Sequence, residues 1–130
     1  MKQPNTLIQA AVTVRQNAHA PYSGFTVGAA VECVDGSIFS GANVENASYG
    51  LTVCAERTAL ASAISAGQRE FRQLVIVSSN GVTPCGACRQ VIWELCGNIP
   101  ILLVDENGQV AQTSSGQLLP SAFSSDNLQS

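Results

Sequence analysis

Between residues 37 and 104 the chain alternates strand-like and helix-like segments, and no other feature restricts its fold so tightly. Residues 74–77 (Leu-Val-Ile-Val) and 101–104 (Ile-Leu-Leu-Val) are short, unbroken apolar runs. A strand with one wet face alternates apolar and polar residues, whereas an unbroken run suits a strand covered on both faces. Residues 54–66 are rich in Ala and Leu and are followed by Gly67. They read as a helix, since glycine supplies the left-handed residue that ends one. Residues 86–96 read the same way and stop at Gly97. Upstream, residues 25–34 and 37–43 read as paired strands. Asp35-Gly36 between them is a two-residue hairpin signal in which both turn positions take positive φ. The order strand, helix, strand, helix, strand favours parallel pairing with right-handed crossovers, and the opening hairpin adds antiparallel strands. The predicted fold is α/β, a three-layer α/β/α sandwich around a mixed sheet of about five strands.

The flanking segments complete this outline. Thr6 is placed to cap a first helix, in which Leu7, Ile8, Ala11 and Val14 share one apolar face and which fades before Pro21. Residues 44–53 and 80–84 read as loops. Glu106-Asn107-Gly108 is a turn, residues 109–113 a weaker strand, and a short helix is expected near Leu118. Residues 124–130 read as a polar tail on a single domain of 130 residues.

Composition narrows the function classes. At 45% hydrophobic and 12% charged residues the chain has the wrong balance for disorder, and so few charges also suit an oligomer that hides surface. The net charge is −3, and the six Lys and Arg residues are scattered from Lys2 to Arg89. A nucleic-acid partner would call for a basic patch, so a small-molecule substrate fits better. The opening segment is broken by Arg15 and Gln16 and lacks the pattern of a secretory signal. No run of about 20 apolar residues offers a membrane span, and a cytoplasmic location is expected. Five cysteines in a reducing compartment point to metal ligation or catalysis rather than a disulfide framework.

Two segments carry that chemistry: Cys54-Ala55-Glu56-Arg57 and Pro84-Cys85-Gly86-Ala87-Cys88-Arg89. Both fall at expected helix starts. Cys85 and Cys88, three apart, present their sulfurs on one face of a first turn. The partial positive charge of a helix N-terminus favours thiolate, the form that binds zinc. Helix starts from neighbouring strand–helix units meet at one sheet edge, where α/β ligands bind. Three thiolates leave one corner of a tetrahedral zinc open, as in catalytic rather than structural sites. Glu56 is the natural proton shuttle, provided the metal lies at the helix tip, since positions i and i+2 do not face each other along a regular helix. Arg57 is placed to offset part of the thiolate charge.

Other readings of these cysteines have less behind them. A lone CxxC is shared with redox motifs and zinc knuckles, but nothing else here supports a redox role. A structural zinc would need Cys33 or Cys96 as a fourth ligand. Cys33 lies on a strand, and Cys96 is about 12 Å from Cys88 by helical rise. Both read as buried free thiols.

The zinc nucleobase deaminases carry H-x-E followed by P-C-x-x-C. This chain has Cys54-Ala55-Glu56 and Pro84-Cys85-Gly86-Ala87-Cys88, with Cys in place of His. PYSGFTVGAA at 21–30, GANVENASYG at 41–50, CAERTAL at 54–60, PCGACRQV at 84–91 and LLPSAF at 118–123 together resemble the small homotetrameric cytidine deaminases over about residues 21–123. The resemblance implies hydrolysis of cytidine, and of deoxycytidine, to the uracil nucleoside and ammonia in pyrimidine salvage. It implies one zinc per subunit on Cys54, Cys85 and Cys88, with Glu56 as catalytic acid and base. It further implies Asn43 and Glu45 on the ribose 3′-hydroxyl, the Ala55 amide on the pyrimidine O2, Phe25 against the base, and Arg57 on the thiolates. Tyr49 and Phe123 resemble residues that reach a neighbouring subunit's site in a homotetramer. His19 and Trp93 match nothing functional and read as surface and helix packing. Blasticidin S deaminase is a sibling with the same zinc motifs, although the NVENAS segment resembles the cytidine pattern. A non-catalytic zinc module, which would show a fourth protein ligand, is the rival from another class.

Overall fold

The computed structural model describes residues 4–128. Helix α1 (Pro4–Arg15) leads into strands β1 (Gly28–Cys33) and β2 (Ile38–Ala42). After a 3-10 turn at Tyr49–Leu51 come α2 (Ala55–Ser65), β3 (Phe71–Val77) and α3 (Gly86–Cys96). Strands β4 (Pro100–Val104) and β5 (Val110–Ser114) and the one-turn helix α4 (Ser115–Leu118) follow. The strands form one sheet in the order β2-β1-β3-β4-β5. Among the named strands β3 and β4 alone pair in parallel; the other neighbours are antiparallel. The α/β sandwich expected from the sequence is present, with less parallel pairing than the alternation suggested. Strands β2 and β3 run the same way, but β1 lies between them, because the hairpin seats β1 beside β2 and leaves its other edge to β3.

The unbroken apolar runs are explained by cover on both faces. In β3, Leu74 and Ile76 point to one side with Ala29, Val31, Ile101 and Leu103. Against them pack Ala55, Ala59, Leu60 and Ala63 of α2 and Ile92 of α3. Val75 and Val77 point to the other side with Ala30, Leu102 and Val104, where Leu7 and Ala11 of α1 close the core. Two glycines set how near the helices come. A Cβ on Gly28 would stand 2.1 Å from the Ala11 carbonyl oxygen, and one on Gly41 2.5 Å from the Ala59 amide nitrogen. Helices α1 and α2 therefore rest directly on strand backbone.

Three local expectations need correction. Thr6 does not cap the first helix: α1 already runs from Pro4, so Thr6 lies in its first turn and the cap position falls outside the described residues. Proline suits such a start, where its missing N–H would have had no partner. Strand β1 begins at Gly28, not Phe25; residues 25–27 are irregular. The Asp35-Gly36 hairpin turns through three residues rather than two. The Gly36 N–H donates to the Cys33 carbonyl and the Cys33 N–H to the Ser37 carbonyl, both at 2.9 Å. Gly36 has φ 91° and Asp35 stays at negative φ, a type I turn closed by one left-handed glycine. The Asp35 carboxylate accepts the Ser37 amide (2.9 Å) and hydroxyl (2.6 Å), which favours that turn. The β4–β5 turn repeats the pattern, with Gly108 at φ 81° and Asp105 accepting the Asn107 and Gln109 amides.

Candidate active site and metal centre

Strands β2 and β3 point the same way, and each hands on to a helix, so the N-termini of α2 and α3 arrive at one edge of the sheet. Cys54 is the N-cap of α2 and Cys85 the N-cap of α3, both with extended backbone. The Cys85 sulfur accepts the Cys88 amide at 3.4 Å, a capping bond with sulfur in the place of oxygen. Cys88, three residues on, is buried.

The Sγ atoms of Cys54, Cys85 and Cys88 all lie within 4.8 Å of one another, and those of Cys54 and Cys85 are 3.8 Å apart. Zn–S bonds of about 2.3 Å at tetrahedral angles separate two sulfurs by about 3.8 Å. The cluster therefore fits a shared zinc ion. Among the described residues no fourth His, Cys or carboxylate joins it, so the donor set is that of an open site rather than a structural one. Cys33 and Cys96 belong to the core under α2 and α3 instead.

The charge around the cluster favours thiolate. The Cys54 thiol is pulled down to about 5, first by the hydrogen bond from Cys88 and then, against burial, by Arg57. Cys88 is pushed up because it gives its hydrogen to the Cys54 sulfur. Arg57 Nη2 donates to Cys54 Sγ at 3.7 Å and to the Thr52 carbonyl at 3.3 Å. Its Nε is buried without a hydrogen-bond partner, and the acidic groups that act on its charge are Cys54 and Cys88. Two helix N-termini add partial positive charge of the same sense.

A pocket of about 250 Å³ opens beside the sulfurs. Phe25, Val27, Ile76 and Pro84 give it apolar walls, and Cys54, Cys85 and Glu56 line it as well. Cys54 stands at the helix tip, which removes the difficulty that i and i+2 diverge along a helix. Glu56, 4% exposed, lies in the first turn, and burial pushes its carboxyl above the ordinary glutamate range. The first amides of α2 have no intrahelical acceptor, and Cys54 offers them no side-chain cap. Ala55 lines the pocket, and its N–H is one of those the helix leaves without an acceptor.

The remaining expected residues divide. Phe25 and Asn43 line this pocket together with Thr52. Asn43 is already engaged: its Oδ1 accepts the Val27 amide and its Nδ2 donates to the Phe25 carbonyl, each at 2.9 Å. One N–H and one lone pair of the amide remain. Glu45 lies in an adjoining hollow with Tyr22, Ser23, Tyr49 and Thr52. Its carboxylate accepts the Tyr22 and Ser23 amides at 3.0 and 3.1 Å and the Ser23 hydroxyl, and the Ser23 hydroxyl in particular holds its pKa below the ordinary range. Thr52 borders both spaces and joins them. Tyr49 is 77% exposed and Phe123 55%; neither lines the pocket beside the sulfurs. His19, exposed as expected, bonds through its backbone to Asn43 and Glu45, and Trp93 is half-buried on α3. Sequence reasoning missed Ser23, Thr52 and Arg89. The first two have the hydroxyls expected of turn residues, while Arg89 bonds two backbone carbonyls, which no side-chain pattern announces.

Residues 1–103 match the family profile described as the cytidine and deoxycytidylate deaminase zinc-binding region. The chain is 46% identical over 125 residues to a cytidine deaminase of Sporosarcina psychrophila, covering 94% of this chain and 92% of that one. It superposes on the crystal structure of a cytidine deaminase from Burkholderia pseudomallei with a TM-score of 0.90 at 50% identity, covering 94% of this chain and 100% of that one. A blasticidin-S deaminase of Bacillus cereus is 35% identical over 104 residues, 72% of this chain and 74% of that one.

Proposed function

This chain belongs to the cytidine and deoxycytidylate deaminase family with its zinc-binding region, and on that premise we propose how its own residues carry out the reaction. It is a zinc-dependent hydrolase that deaminates cytidine to uridine and ammonia. The observation that carries the residue assignment is a cluster of three cysteine sulfurs, all within 4.8 Å of one another, beside a pocket that Cys54, Cys85 and the buried Glu56 line. Cys54, Cys85 and Cys88 hold one zinc per subunit. When bound, that ion supplies a Lewis acid under which water becomes nucleophilic near neutral pH.

The chain does the rest by orientation and proton handling. The pyrimidine enters against Phe25, and the Ala55 amide donates to its O2. Glu56 accepts a proton from the attacking water and gives it to ring N3 as the water oxygen bonds to C4. It then carries the second proton to the amine, the C4–N bond breaks, and ammonia leaves uridine behind. A buried carboxyl is suited to both halves, because burial brings its neutral and ionised forms closer in energy at neutral pH. The ribose lies across Thr52, with the spare groups of Asn43 and Glu45 on its 3′-hydroxyl. Nothing in this arrangement addresses the 2′ position, so deoxycytidine is a substrate as well.

We further read the 130 residues as one catalytic domain, assembled into a homotetramer with Tyr49 and Phe123 reaching a neighbour's site, and acting in cytoplasmic pyrimidine salvage. Among the described residues no helix is long and apolar enough to cross a membrane. The decisive experiment follows cytidine absorbance and ammonia release with wild type and Glu56→Gln, each assayed for zinc. We expect one zinc per chain in both and turnover in wild type alone. An active Glu56→Gln would remove Glu56 from its role, and faster turnover of blasticidin S than of cytidine would move the substrate assignment to the sibling activity.

A further inference from the structure

We propose that Arg89 is a positioning residue for the deamination site, fastening the pocket wall that leads into Cys85 to the C-terminal segment before Phe123. Every nitrogen of its guanidinium is used. Nε donates to the Pro84 carbonyl at 2.7 Å, Nη2 to the Thr83 hydroxyl at 2.8 Å, and Nη1 to the Leu118 carbonyl at 2.9 Å. Among the described residues it makes no ion pair with a carboxylate. Its charge also sits in the second turn of α3, near the end of the helix where a cation is disfavoured. A charge placed there without a carboxylate partner is accounted for by the three bonds it makes.

Those bonds have a consequence for the pocket. Val82, Thr83, Pro84 and Cys85 form one wall of it. Their loop is otherwise fixed by Cys85 at the helix tip and by the Ser78 hydroxyl, which accepts the Gly81 and Val82 amides. Between these points Arg89 sets the height of Thr83 and Pro84 above the sheet. The next residue acts on the same strip: Gln90 Nε2 donates to the Phe123 carbonyl at 2.8 Å. Two consecutive side chains of α3 thus tie residues 118–123 to the helix whose tip carries two of the three sulfurs. A guanidinium presents five donors in a rigid fork, whereas a lysine ammonium is a point charge on a flexible stem and does not reach three diverging acceptors at once.

The inference rests on the deaminase reading given above, so its test includes the wild type as a reference. Four proteins are compared: wild type, Arg89→Lys, Thr83→Val and the double variant. Their kcat and KM for cytidine are expressed per zinc-loaded chain, beside zinc content and thermal midpoint. We expect Arg89→Lys to keep its zinc and a near-native midpoint while kcat/KM falls roughly 10–100-fold, the scale of an ångström-sized misplacement in a site. Thr83→Val should lower kcat/KM less, and adding it to Arg89→Lys should cost nothing further, because the bond it removes is already broken. The role is overturned if Arg89→Lys turns over at the wild-type rate, if its whole loss tracks missing zinc or unfolded chain, or if the two substitutions act independently. A wild type that releases no ammonia would sink the activity and this role together, whereas an active wild type beside an equally active Arg89→Lys sinks the role alone.

Discussion

At the scale of single residues, the site asks several side chains to serve the fold and the ligand at once. Asn43 shows this best. Its amide holds the Val27 N–H and the Phe25 carbonyl, and Phe25 lines the pocket. Asn43→Ala should therefore raise KM for cytidine and also destabilise the chain by about 1–3 kcal/mol, the cost of leaving partly buried backbone groups unpaired. Steady-state kinetics and urea melts on the same preparations check both halves; a KM effect with no loss of stability would mean the bonds to residues 25–27 carry no load. Arg57 acts through the sulfurs. With its Nη2 on Cys54, we expect Arg57→Gln to weaken zinc about 10–100-fold in chelator competition, as for other groups that support metal ligands, and to slow turnover. The cluster of Cys54, Cys85 and Cys88 was legible in the sequence because thiols at that spacing leave few alternatives. The structural duty of Asn43 and the grip of Arg89 were not, since both bond backbone, and backbone carries no identity.

At the scale of elements, glycines that end helices and apolar runs that fill strands placed α2, α3, β3 and β4 closely. Helix α3 matches its expected span of 86–96. The sequence misled where two solutions use the same residues: Asp-Gly serves a two-residue turn or a three-residue turn ending in glycine, and only the side-chain bonds of Asp35 separate them. Those bonds make a pH prediction. The Ser37 hydroxyl, ahead of the Ser37 amide, holds the Asp35 carboxyl below the usual aspartate range. A carboxyl depressed by folding adds stability above its unfolded pKa, and that increment is lost as pH falls through its folded one. Asp35→Asn should thus be less stable than wild type at pH 7, with the gap closing toward pH 3 in urea melts. Glycine substitutions separate turns from contacts. Gly36→Ala has open space and pays only for φ 91°, about 1–2 kcal/mol. Gly41→Ala meets no φ penalty but must push α2 off β2, since its Cβ would meet Ala59 and Thr58 backbone below 3 Å. We expect the larger loss of stability at Gly41, together with loss of zinc, because α2 carries Cys54 and Glu56. Equal effects at the two glycines would mean α2 shifts without disturbing the site.

At the scale of the whole molecule, the single chain leaves large apolar and aromatic side chains exposed near its candidate active site. Tyr22 is 55% exposed and Leu51 67%, beside Tyr49 and Phe123. Tyr22 and Tyr49 also border the hollow that holds Glu45. The proposed tetramer would bury this patch and let Phe123 of one subunit complete the pocket of another. The assembly is checked by sedimentation, and the sharing by complementation. Glu56→Gln lacks the proposed proton carrier and Phe123→Ala the aromatic proposed to reach across, so each should be weak by itself. Dissociated, mixed in equal amounts and reassembled, they form some sites with Glu56 from one chain and Phe123 from the other. Random assembly of a closed symmetric oligomer makes about a quarter of all sites whole, and ammonia release should recover toward that fraction of wild type. If the mixture shows only the mean of its two parents, Phe123 serves the chain it belongs to, and the exposed aromatic edge does not join one subunit's chemistry to the next.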